Sequence, residues 1–321
     1  MPAMTTVETQ RRAAEEAALV HPRPDLAALI VTGKDRQTWL NGLVTCELAG
    51  KKPGEGIYGL AVGKTGKIAA EIVALLAADH LVLVLPSDRV EPLREHLERH
   101  LIMEDAELAA ADGRALFAVH GPRAAAIVDF ARTVGADAAT VDFTGRGDAA
   151  LILAPVGAAE TFAATLLASA GAGGALATPE GWEALRIEWG VPRFGVDFDD
   201  QTLPQEASLE RLAVSFTKGC YLGQETVFML EKRGHAKKRL MRLALDLDLD
   251  AADLTPGVEI VLPDGGGPIG TLTSVTKTAS GGAIGLGYVK FKYATADAAL
   301  VVGGHPARAL GLAASPRGRE V

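Results

Sequence analysis

Twice along this chain a short apolar run meets a turn residue and gives way to helical periodicity, and in each half a second run then does the same. Residues 29–40 read Leu-Ile-Val-Thr-Gly-Lys-Asp-Arg-Gln-Thr-Trp-Leu, and residues 116–128 read Leu-Phe-Ala-Val-His-Gly-Pro-Arg-Ala-Ala-Ala-Ile-Val. Each is followed by a second such stretch: residues 81–101, where Pro86 ends Leu-Val-Leu-Val-Leu, and residues 149–170, where Pro155 is the break. Continuous apolar runs of this length suit buried strands, and the amphipathic stretches behind them suit helices laid on a sheet. The spacing differs between the halves, so the pattern is that of a diverged duplication. It predicts an α+β chain with two related units, 21–108 and 112–180. The domain holding the second unit spans 109–235, and a helical segment at 1–20 precedes both.

From Lys237 onward the texture changes to short alternating segments at 258–262, 269–275 and 284–291, separated by turns such as Pro263-Asp264-Gly265-Gly266-Gly267. Such segments predict a small antiparallel barrel or sandwich over residues 236–321. A length of 321 residues fits several domains, and 48% apolar with 22% charged residues excludes a disordered chain. The net charge of -8 excludes a molecule that attracts nucleic acid or anionic membranes as a whole, so any RNA contact must be local. Two cysteines, Cys46 and Cys220, do not make a disulfide framework, and they fit a reducing compartment. The N-terminus lacks the apolar core of a signal peptide, and no run of about 18 apolar residues occurs, so a soluble cytoplasmic protein with no membrane partner is expected.

The densest chemistry lies at residues 218–225, Lys-Gly-Cys-Tyr-Leu-Gly-Gln-Glu. An ammonium two residues from a thiol favours the thiolate, which is the nucleophilic and metal-binding form, so Lys218 is expected to activate Cys220. A buried inert thiol is the plainer alternative, although such thiols usually have apolar neighbours. Gly219 and Gly223 would permit positive φ or close backbone approach to a ligand. Cys46, among Leu43, Val44 and Thr45, reads as packing. In the segment 182–197, Trp182, Leu185 and Trp189 share one side of a short helix, with Arg186 beside Glu188. A carboxylate near aromatic rings can bind two parallel N–H groups of a heteroaromatic edge, but the same stripe also serves as a helix core with a local ion pair. Six Lys/Arg residues and His235 between Lys232 and Arg242 suit a ligand carboxylate, an RNA backbone or plain solvation.

Three apparent motifs fail on their own chemistry. Gly63-Lys64-Thr65 lacks the glycine five positions earlier that a phosphate loop needs, because Tyr58 stands there. His96 and His100 have Leu97 where a zincin has its glutamate, and they read as a solvated helix face. Asp246, Asp248 and Asp250 are followed by Ala251 and Gly257 where a calcium loop needs glycine and glutamate, and they read as one face of a strand.

The octapeptide resembles the signature of the YgfZ family, folate-binding proteins related to the glycine cleavage T protein (aminomethyltransferase). Similar stretches extend along nearly the whole chain: Gly33 to Thr45, Gly121-Pro122, Arg186-Ile187-Glu188 with Gly190, Pro192, Gly195, Asp197, Pro204 and Glu206, and Ile269 to Ser274. The resemblance implies a T protein-like three-part ring with a central hole for tetrahydrofolate, made of two related α+β units and a C-terminal antiparallel β-barrel. It further implies Glu188 and Trp182 as folate contacts, with Arg233 beside them, and Cys220 and Lys218 as the reactive pair. The motif positions Gly219, Tyr221, Gly223, Gln224 and Glu225 surround that pair. Leu26 stands where the family has a second tryptophan. Where T proteins carry an Asp-Asp pair, this chain has Ala70-Glu71, which argues against aminomethyl transfer. The function implied is support of iron-sulfur cluster assembly or repair in client enzymes, including those that modify tRNA. No stably bound metal is expected, since one cysteine cannot enclose a cluster. A folate-dependent one-carbon transferase is the alternative, and direct tRNA contact through residues 232–242 is a further possibility.

Overall fold

The computed structural model of the chain describes residues 6–246, 254–279 and 281–315. These fall into two compact units, one of residues 1–63, 69–181 and 213–222, the other of residues 64–68, 182–212 and 223–321. In chain order the first unit runs α1 (Val7–Glu16), β1 (Leu19–Pro22), β2 (Leu26–Thr32), α2 (Arg36–Asn41), β3 (Gly56–Val62), β4 (Ile68–Leu76), β5 (Leu81–Pro86), α3 (Val90–Glu98) and β6 (Glu107–Ala110). It continues with β7 (Leu116–His120), α4 (Ala124–Thr133), β8 (Asp137–Thr140), β9 (Ala149–Leu153), α5 (Ala159–Ala170) and β10 (Ala175–Leu176).

These strands form two five-stranded sheets, ordered β3-β4-β5-β2-β6 and β10-β1-β7-β9-β8. The two sheets share one pairing. β2 lies antiparallel to β5 with Leu29 opposite Leu83, as β7 lies antiparallel to β9 with Val119 opposite Ala150. The four runs that alternate strand and helix in the sequence are thus β2-α2, β5-α3, β7-α4 and β9-α5. The continuous run Leu81 to Leu85 is buried along its whole length, which is why it shows no alternation. Leu29, Leu83, Leu85, Leu93 and Leu97 pack in one core. Phe117, Val119, Ile127, Ile152, Phe162 and Leu166 pack in the other.

The N-terminal segment does more than form a helix. α1 is capped by Thr6, whose hydroxyl accepts the Thr9 amide at 3.2 Å. It then feeds β1 into the second sheet between β7 and β10. The buried Gln10 accepts the Thr178 amide at 3.0 Å, fixing the chain that follows β10.

The second unit holds most of α6 (Pro179–Trp189), α7 (Glu210–Ala213) and α8 (Gln224–Lys232), followed by β11 (Lys238–Leu245), β12 (Glu259–Val261), β13 (Gly270–Lys277), β14 (Ala283–Lys290), β15 (Ala299–Val302) and β16 (His305–Leu312). The six strands close as an antiparallel barrel, β11-β14-β13-β12-β15-β16, with β11 hydrogen-bonded to both β14 and β16. Of barrel and sandwich, the structure is therefore the barrel. Met241, Leu243, Ile260, Leu272, Val289, Leu300 and Val302 fill it. The aspartates read as a strand face begin at Asp246, and Asp248 and Asp250 lie outside the described residues. Among the described residues no helix is long and apolar enough to cross a membrane.

Candidate functional site

The octapeptide begins with a lysine that turns inward. The Lys218 ammonium donates to three main-chain carbonyls, those of Asn41 at 2.7 Å, Val44 at 2.8 Å and Cys46 at 2.6 Å. An ammonium has three N–H groups, so all are used on the segment that leaves α2. Burial lowers the Lys218 pKa, opposed by Cys46 and Glu47. The three bonds make the lysine a brace for the loop. A second tie follows where the Leu222 amide donates to the Gly42 carbonyl at 3.0 Å. Between the two ties, Gly219 and Cys220 are exposed. A β-carbon on Gly219 would meet nothing within 4 Å, so its side faces open space. The thiol is thus presented to solvent on a short loop held at both ends.

The neighbouring motif residues support that loop. Tyr221 is buried, its ring 5.3 Å from the Lys218 ammonium, and burial pushes its phenol up to about 12. Gly223 adopts φ 75° as the residue before α8, a conformation that a β-carbon would strain. Gln224 and Glu225 open that helix, with the Glu225 carboxylate in the first turn where the helix dipole favours it. Cys46, by contrast, is buried, and burial pushes its thiol up to about 12 despite the Lys218 charge. A β-carbon on Gly59 would lie 2.4 Å from its sulfur, so Cys46 packs against bare backbone, as expected of a core thiol.

Within the second unit, Arg186 is fully buried and organises the helix that carries Glu188. Its guanidinium donates to Glu183 at 2.8 Å, Asp197 at 2.7 Å, the Val191 carbonyl at 3.2 Å and the Ser274 hydroxyl at 3.0 Å. The other Asp197 oxygen accepts from the Thr273 and Ser274 hydroxyls. Adjacent strand residues normally point to opposite faces, and the irregularity between Leu272 and Ser274 in β13 lets both hydroxyls reach one carboxylate. The ion pairs of Arg186 are with Glu183 and Asp197 rather than with Glu188, the neighbour suggested by sequence. Glu188 is half-buried on the same helix. Trp182 is buried, its ring edge-on to Trp189 at 5.9 Å. Arg233 is exposed at the end of α8.

The strand carrying Ala70 and Glu71 shows what the sequence reading missed. Ala70 is buried, and Glu71 accepts a hydrogen bond from the Tyr58 hydroxyl at 3.1 Å. Burial, then the Glu71 charge, raises the Tyr58 phenol well above its ordinary value. Both residues line a small pocket of about 50 Å³ with Arg23, Leu26, Leu85 and Phe143. The space suits a ring edge or a small substituent rather than a whole pteridine. A signal for the pair existed: Tyr58 stands six residues before Lys64 and Glu71 six after Thr65, equidistant from the hairpin turn. His96 and His100 differ from the solvated face expected of them. Their rings lie 5.5 Å apart and half-buried, and burial lowers His96. Among the described residues, no group of three or more His, Cys, Asp or Glu could hold a metal.

Two five-stranded sheets carrying helices, followed by a closed six-stranded barrel, define the class: this is the fold of the glycine cleavage T protein. The crystal structure of glycine cleavage system aminomethyltransferase T from Bartonella henselae matches with a TM-score of 0.81 over 96% of this chain and 89% of that one, at 19% identity. Residues 3–156 match the GCVT N-terminal domain and residues 237–314 the CAF17 C-terminal beta-barrel domain, with the octapeptide between them. The tRNA-modifying protein YgfZ of Yersinia enterocolitica is 26% identical over 230 residues, covering 68% of this chain and 69% of that protein. The mitochondrial aminomethyltransferase of Gallus gallus is 28% identical over 315 residues, covering 85% and 74%. The chain is thus similar to GCVT-domain proteins over residues 3–156, to the CAF17-type barrel over residues 237–314 and to YgfZ, so the resemblance carried by the octapeptide is borne out.

Proposed function

We propose that this protein binds tetrahydrofolate and uses Cys220 in the assembly or repair of iron-sulfur clusters in client enzymes, including enzymes that modify tRNA. The observation that carries the reading is the exposed thiol on a loop tied down by Lys218 and Leu222. A thiol built for packing would be buried as Cys46 is. One held at a fixed place in solvent can ligate iron that is passing to another protein, and a single cysteine releases it again because it cannot enclose a cluster. Lys218 is a positioning residue here. The half-buried Glu188 carboxylate accepts the paired N–H groups of the pterin edge, the Trp182–Trp189 pair sets the wall beside it, and Arg233 meets the folate carboxylates. The homologues named tRNA-modifying protein YgfZ support the client class. The test is complementation of a deletion strain: Cys220→Ala is expected to leave cluster-dependent tRNA modification unrestored, and full restoration removes the thiol from the mechanism.

A second reading, a folate-dependent one-carbon transferase, is favoured by one observation. Glu71 occupies the stretch where T proteins carry their acid, and Tyr58 holds its carboxylate in place. Formation of methylene-tetrahydrofolate from a methylamine and tetrahydrofolate, lost in Glu71→Gln, would establish it.

A further inference from the structure

Cations cluster in the second unit where β11 begins and β14 ends. β11 and β14 pair so that Lys238 stands directly opposite Lys290. Like charges facing each other across an antiparallel pair repel and destabilise it. The structure leaves both exposed, and adds Lys237 beside the first and Lys292 just after the second. Lys232 and Arg233 end α8 a few residues earlier, also exposed. Glu231 is the lone acidic residue among residues 231–239 and 290–293. In a chain of net charge -8 this is a local reversal of sign.

Aromatic rings stand among these charges. The Phe291 amide donates to the Lys237 carbonyl at 2.9 Å, which fixes the turn after β14 beside the start of β11. Phe291 is 41% exposed, and the His235 ring meets it edge-on with centroids 4.0 Å apart. The Lys238 ammonium lies 4.0 Å from the Tyr288 ring centroid, and Lys290 donates to the Pro268 carbonyl at 2.9 Å. Both lysines are therefore oriented. A large exposed ring beside fixed cations is poorly explained by solvation alone.

We propose that this face of the barrel binds a single-stranded nucleic acid, with Lys237, Lys238, Lys290 and Lys292 on the phosphates and the Phe291–His235 pair as a stacking platform for an unpaired base. Phosphates relieve the Lys238–Lys290 repulsion, and every base offers a π-face to an exposed ring. A duplex hides its bases in the stack, so the ring selects single strands. None of the side chains it uses is among those assigned to folate, Glu188, Trp182 and Arg233.

The test is fluorescence anisotropy of the full-length chain with a labelled single-stranded RNA oligonucleotide over a range of salt. Four phosphate contacts give a log–log salt slope of about -3. The double variant Lys238→Gln/Lys290→Gln is expected to weaken binding at least ten-fold and shallow the slope by about 1.4, while its melting temperature changes little, since relief of like charge offsets the lost Tyr288 and Pro268 contacts. Lys238→Arg/Lys290→Arg keeps the charge and should keep the affinity. Phe291→Leu should lose about five-fold or more for single strands and leave the salt slope unchanged. Tetrahydrofolate titration should be unaltered in all three, which separates this site from the folate reading. Unchanged affinity in the glutamine variant overturns the proposal, as does loss of binding in the arginine variant. Equal competition by polyglutamate would also overturn it, since the face would then be fitted to an acidic protein.

Discussion

The ammonium of Lys218 rests 2.6 Å from the carbonyl oxygen of Cys46, so the segment holding the chain's buried cysteine is the anchor for the loop that exposes its other one. The lysine next to a reactive-looking thiol thus has a mechanical role, and it can be separated from an activating one. In Lys218→Met three carbonyls lose a charged donor. The expected cost is about 2 to 4 kcal/mol of stability in urea denaturation, with Cys220 still modified by a thiol reagent under native conditions. Cys220 labelling that slows greatly while stability is unchanged would instead mark Lys218 as an activator.

The two thiols should also separate by reactivity. Burial pushes Cys46 up to about 12 and Gly59 leaves no access to its sulfur. One thiol per chain is expected to react with an aromatic disulfide at pH 8, and two after denaturation. Two reacting at the same rate in the native protein would contradict the packing of Cys46.

Stability should fall as solution turns acidic. Burial, then the Arg23 charge, lowers His21 to about 2, and burial, then His21, lowers His120 well below its ordinary value. Both fold as neutral rings, whereas in the unfolded chain they titrate near 6.5. The unfolded state therefore binds more protons below that pH. Their contribution is intact above about pH 6.5 and is lost as pH falls through it. Between pH 7.5 and 5.5 the two should account for about 2 to 3 kcal/mol of lost stability. Denaturation of His120→Leu at the two pH values should show roughly half that histidine-dependent difference removed.

The Arg186–Asp197 pair is buried on both sides, so removing one partner strands the other. Asp197→Asn and Arg186→Met are each expected to cost about 3 to 5 kcal/mol. The double replacement should cost less than the sum of the two. Strict additivity would mean that the two side chains do not act on each other.

Much of the fold was legible because it rests on repeated local signals. The four strand-then-helix runs became β2-α2, β5-α3, β7-α4 and β9-α5, and the alternating segments after Lys237 became barrel strands with ends within two residues. β1 was not legible, since its four residues carry no period and gain their place only by pairing with β7 and β10. The site was legible as a motif but not as a geometry. Sequence proximity suggested that Lys218 serves Cys220 and that Arg186 pairs with Glu188. The partners found are the Asn41–Cys46 carbonyls and Asp197, brought close by chain reversals that local spacing does not encode.

The central claim is folate binding through Glu188, and calorimetric titration of the purified protein with tetrahydrofolate tests it most directly. The expected result is saturable binding to the wild type, at least ten-fold weaker binding to Glu188→Ala, and unchanged binding to Cys220→Ala. Absence of binding to the wild type, or equal affinity in Glu188→Ala, would contradict the account.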